Sequence, residues 1–177
     1  SRSNRTYPQY LLFKPGMLIT AILLTQYWIA NNKLVLEINN ISTNKKFLFF
    51  GVGSAVFLAV HSIFLGLTFE ADIYKFFRRF VLLGFIIFEI TAQALLLVSI
   101  FKIKDKISVF INTKVLYLKI ALVTLLIIVA FVAAPFLSTS EYTHLKHALE
   151  WNYFIGVILF YLLTFMFWKK KTTVHTS

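Results

Sequence analysis

The chain has 177 residues, 59% of them hydrophobic and only 14% charged, with a mean hydropathy of +0.78. A soluble domain of this size cannot bury so much apolar surface, whereas apolar runs of about 20 residues are what membrane-spanning helices need. The net charge of +11 would point to nucleic acid in a soluble protein. Here the lysines and arginines flank apolar runs, so no nucleic-acid partner is expected, and the absence of cysteine excludes disulfides and thiol chemistry.

In chain order, hydropathy predicts five spans in an all-α, polytopic transmembrane bundle that forms a single domain over residues 1–177. The first covers about Leu11–Ala30, entered through Pro15-Gly16, and the second about Phe47–Phe69. The third, Phe80–Phe101, is followed by Leu116–Phe136 and Ala148–Trp168. Helices are the expected form, because backbone polar groups in lipid must be satisfied within their own segment. The connection Glu70–Arg79 either lies flat at the interface or extends the third span outward, and Lys102–Lys106 reads as a basic turn.

Loop charge orients the bundle. Lys33, Lys45, Lys46, Lys102, Lys104, Lys106, Lys114 and Lys169 to Lys171 fall on one side, against Glu37 and Asp105. Arg2, Arg5, Lys14, Lys75, Arg78, Arg79 and Lys146 fall on the other, with Glu70, Asp72 and Glu141. The richer side is expected to be cytosolic and to hold the C terminus, leaving Ser1 outside. Tyr10 and Trp151 then belong to the outer aromatic belt, and Trp28 and Trp168 to the inner one.

Glu89 lies near the middle of the third span, where a carboxyl group costs roughly 2.5–3.5 kcal/mol to insert and so needs a partner. His61, counted from the outer end of the second span, falls at a similar depth of roughly 12–14 Å, so a His61–Glu89 pair is feasible. Gln93, one turn beyond Glu89, could complete a polar network. Such a network either lines a cavity open to the non-cytosolic side or pins helices together as a buried, satisfied pair. On the second span, Gly51, Ala55 and Ala59 recur at four-residue spacing, the pattern of a close helix-packing face.

A second polar cluster, Glu141, His144, His147, Glu150 and Trp151, opens the last span. His144, His147 and Glu150 are metal-ligand residue types at i, i+3 and i+6, but the HExxH pairing is absent. A metal is therefore not favoured, and no cofactor is expected. Arg78 and Arg79 open the third span at the same level, where with His147, Glu150 and Trp151 they could form a rim that pairs internally or clamps a lipid phosphate.

The stretch His147-Ala148-Leu149-Glu150-Trp151, continued by Phe154 and by Phe160-Tyr161-Leu162-Leu163-Thr164-Phe165, resembles the last span of the DRAM/FRAG-type membrane proteins. That family comprises damage-regulated autophagy modulators and relatives that remodel GPI-anchor lipids. The resemblance implies six spans with both termini cytosolic, hence one span upstream of Ser1, and carries over Glu150 and Trp151. The family's first-loop motif is matched only at Asn4 and Pro8.

These features lead to an integral membrane protein that handles or recognises lipid. One alternative is a non-catalytic subunit of a larger membrane complex, with other membrane proteins as partners. A second is a metal-dependent membrane enzyme using His144, His147 and Glu150. No complete catalytic set is visible, and no inverted repeat marks a transporter.

Overall fold

The computed structural model describes residues 9–39, 45–64, 72–137 and 143–168. Among these residues six helices follow one another: α1 (Gln9–Asn39), α2 (Lys46–Phe64), α3 (Asp72–Lys102), the single turn α4 (Lys104–Ile107), α5 (Thr113–Leu137) and α6 (Thr143–Phe167). Among the described residues the extended pairing is limited to an isolated bridge between Ile111 and Trp168. Four stretches are long and apolar enough to cross a membrane: Leu11–Ile38, Lys46–Phe64, Phe80–Lys102 and Thr113–Val132. In α6 the apolar stretch Trp151–Phe167 is shorter. The described residues are thus all-helical in architecture, as the composition required.

α1 and α3 run furthest past the spans expected from hydropathy. α1 continues past Ala30 to Asn39, and Pro15 lies inside it without ending it. As the seventh residue of the helix it leaves one internal hydrogen bond unmade, the one an N–H there would donate to Leu11 O, and the long helix continues past it. Polar side chains in α1 turn back on their own helix: Thr20 Oγ1 donates to Gly16 O, Thr25 Oγ1 to Ala21 O, and Asn31 Nδ2 to Tyr27 O. This lets a helix with few buried positions carry hydroxyls and amides beside lipid. α3 begins at Asp72 and runs unbroken to Lys102, so residues 72–79 extend the third span. The Tyr74 hydroxyl donates to Phe64 O, tying the start of α3 to the last residue of α2.

The chain divides into two compact units, Ser1–Leu95 and Leu96–Ser177. In the first, α2 and α3 run antiparallel in one register: Gly53 faces Phe88, Gly84 faces Phe57, and the rings of Phe64 and Phe77 meet at 5.5 Å. The glycines are required there, because a Cβ on Gly53 would lie 2.5 Å from the Phe88 ring. In the second unit α5 and α6 pair antiparallel. Asn112 N donates to Phe167 O at 2.8 Å, Tyr153 Oη donates to Leu126 O at 2.8 Å, and Gly156 lies under Leu126.

Before α5 the chain makes a folded amphipathic turn. Ile103, Ile107 and Ile111 are buried at 5%, 3% and 0% exposure, while Lys102 and Lys106 are exposed. The Lys104 Nζ stands 4.4 Å from the centre of the Phe101 ring. Asn112 caps α5, its Oδ1 accepting from Lys114 N at 3.2 Å, which is the role its short side chain suits.

Candidate functional site

In the first unit a polar layer crosses the helices around Glu89. The Glu89 side chain is 0% exposed, with its Oε2 2.6 Å from Ser54 Oγ on α2. One turn along α3, Gln93 Nε2 donates to Glu89 Oε1 at 3.0 Å. Ser54 Oγ also lies 2.8 Å from Gly51 O. Ser54 and Gln93 are themselves fully buried. The helix register places His61 opposite Phe80, and Glu89 opposite Val52. Glu89 therefore meets α2 at Ser54, two turns before half-buried His61. Depth counted from the ends of apolar runs sets Phe69 level with Phe80, whereas Phe64 meets Phe77, and that difference in register is the offset.

α1 forms a wall of the same layer. Trp28 is 0% exposed, and the Cβ that Gly51 lacks would stand 2.2 Å from its indole. An interfacial place for Trp28 was expected from its position in the sequence; it is instead a core residue, because Gly51 leaves the space that the indole fills. Phe47 packs against the same ring, at 6.5 Å between centres. Ala55 is buried as well, while Ala59 is only partly covered. Trp28 Nε1, Asn32 Oδ1 and Gln93 Oε1 are buried with no hydrogen-bond partner among the described residues.

The second unit holds a buried charge that the sequence reading passed over. The loop tally accounts for seventeen of the eighteen lysines and arginines; the remaining one is Lys119, inside the fourth apolar run. Its side chain is 2% exposed, and its Nζ donates to Thr164 Oγ1 at 2.7 Å. The ammonium also stands 3.9 Å from the centre of the Phe160 ring and 5.6 Å from that of Phe167. Thr164 Oγ1 donates in turn to Phe160 O at 3.0 Å. The amino group, in apolar surroundings, is thus held by one hydroxyl and the faces of two aromatic rings. An intramembrane lysine is itself a marked signal, and the tally alone was enough to expose it.

The side chains of Arg78, Arg79, His144, His147 and Glu150 lie outside the described residues. Trp151 is described and is 70% exposed. No group of three or more metal-ligating side chains comes together among the described residues.

On the outer surface of α2 runs a groove of about 440 Å³, lined by Leu48, Phe49, Val52, Gly53, Val56 and Phe57, with Lys45 at one end. Its lining is almost entirely apolar, and Phe49 and Val56 are 68% and 56% exposed. Gly53 lines the groove between Phe49 and Phe57, and a Cβ there would meet the Phe88 ring. Comparison with known protein families, with curated proteins and with solved structures finds no match to this chain.

Proposed function

We propose that this is an integral membrane protein that recognises an anionic glycerophospholipid. One acyl chain would lie in the α2 groove with the head-group phosphate at Lys45. The observation that carries this reading is the groove itself, apolar along its length and basic at one end. Its size is in the range of small-ligand pockets, and a lysine at a membrane surface attracts anionic lipid by about 1 kcal/mol. Lysine bias supports a cytosolic placement for the Lys45 end, for the turn carrying Lys102 and Lys106, and for the C terminus, with α6 as a fifth span.

This reading moves the lipid site away from the polar cavity expected around Glu89, since that carboxyl is sealed from the surface. The experiment is intact-complex mass spectrometry of the full chain released from its native membrane, with lipid analysis of the same sample. One retained class of anionic phospholipid is the expected result. Lys45→Glu should lower its retention roughly tenfold or more, from the reversed charge alone, and Val56→Trp should fill the groove and do the same. Recovery only with fixed partner proteins and no retained lipid would replace this reading with that of a complex subunit.

A further inference from the structure

The turn between α3 and α5 presents a mixed surface that neither the α2 groove nor the Glu89 layer uses. Its backbone stays helical beyond the end of α3. Ile103 N donates to Ile100 O at 3.1 Å, Ile107 N to Ile103 O at 3.3 Å, and Ile111 N to Ile107 O at 3.1 Å. Four-residue spacing therefore puts Ile103, Ile107 and Ile111 on one face, and that face is buried. Asn112 N donates to Phe167 O, and with the Ile111–Trp168 bridge this fastens the turn to the end of α6.

The face turned away from the isoleucines is open. Lys102, Lys106 and Val109 recur at i, i+4 and i+7, so they lie along one stripe, with Phe110 one turn beyond Lys106. Val109 and Phe110 are 73% and 55% exposed, and both lysines are exposed as well. Among the described residues no ion pair or side-chain hydrogen bond occupies Lys102 or Lys106, whereas Lys104 lies over the Phe101 ring. Asp105, at the Val109 edge of the stripe, is the one carboxylate of the turn against its three lysines.

The turn joins two stretches of span length, Phe80–Lys102 and Thr113–Val132, so it stands where hydrocarbon gives way to head groups. At that depth, ammonium groups beside exposed aliphatic and aromatic side chains complement a lipid of opposite charge. A free phosphate ion would satisfy the lysines but leave the apolar pair uncovered. We propose that this turn binds the head group of an anionic phospholipid. Lys102 and Lys106 meet its phosphate, and Val109 and Phe110 meet its glycerol and upper acyl chain. The buried isoleucines hold the stripe in place before lipid arrives, so little ordering opposes binding. The site shares no residue with the α2 groove and stands or falls apart from it.

The test uses the full-length chain in vesicles of equal parts phosphatidylcholine and phosphatidylglycerol, with bromine on the acyl chains of one lipid or the other. Surface charge and bromine content are then the same in both samples, so only lipid preference can separate them. Phe110→Trp, in a Trp151→Phe, Trp168→Phe background, supplies the emission to be quenched, and the background alone subtracts Trp28. Brominated phosphatidylglycerol should quench as though enriched roughly fivefold or more over phosphatidylcholine. Lys102→Gln with Lys106→Gln should bring the two lipids level, while Lys45→Glu should leave the preference in place. Equal quenching by both lipids before the lysines are changed would reduce the turn to ordinary membrane contact and overturn the proposal. Quenching by neither would give the stripe to a protein partner, and a preference lost with Lys45→Glu would give the lipid to the groove; each outcome overturns it too.

Discussion

The two units bury ionisable groups of opposite kinds by different means. Glu89 is surrounded by hydrogen-bonding partners, a hydroxyl on α2 and an amide on its own helix, with the Trp28 wall of α1 close by. Lys119 has one hydroxyl and two aromatic faces, all supplied by α6. A carboxyl group can be acceptor or donor according to its proton, so a network can be built around it that uses both of its oxygens. An ammonium only donates, and where carbonyls are tied up in helices the remaining electron-rich surfaces are aromatic rings. The acid layer therefore draws on three helices, whereas the lysine is housed by one helix pair.

The widest gap between the layers should be exposed by Gly51→Val, which drives a side chain into the Trp28 indole. Overpacking of this kind costs about 1–3 kcal/mol, and the 2.2 Å clash with a rigid ring argues for the upper end. Thermal unfolding in detergent should show the loss. Tryptophan emission in a Trp151→Phe, Trp168→Phe background should shift to the red as Trp28 is displaced. Unchanged stability and emission would mean that the acid layer does not lean on α1.

The next effect belongs to the second unit. Thr164→Val removes the hydroxyl from Lys119 and should cost about 1–3 kcal/mol by leaving a buried donor unsatisfied. Lys119→Met should be close to neutral, because an apolar side chain of similar length needs no partner. Combining the two should recover most of the loss, a coupling that a double-mutant cycle reads directly. Equal costs of Thr164→Val with and without Lys119 would show that the hydroxyl serves only its own helix. Smallest is Phe160→Leu, which keeps bulk but removes a π face; about 1 kcal/mol is expected, and less in the Lys119→Met background.

Much of this molecule is legible in its residue order. Apolar runs of membrane length, interrupted by lysine-rich turns, dictate helices, because a chain in lipid has to satisfy its backbone locally. Glu89 stands out for the same reason, as does Lys119 once every basic residue is accounted for. Gln93 is legible too, since residues four apart share a helix face. These are local properties, carried by composition and by spacing along one helix.

What tertiary structure alone decides is which helix faces meet and at what height. Hydropathy locates the ends of a span only to within several residues, and here α1 and α3 each run well past the spans expected from it. An offset of two turns separates His61 from Ser54 as the level at which Glu89 meets α2. Gly51 could be recognised as small, but only the pairing of α1 with α2 reveals that its missing side chain is what buries Trp28. The physical reason is that burial and hydrogen bonding between helices depend on register and rotation. Those are set by the fit of glycines against aromatic rings, which no single span encodes.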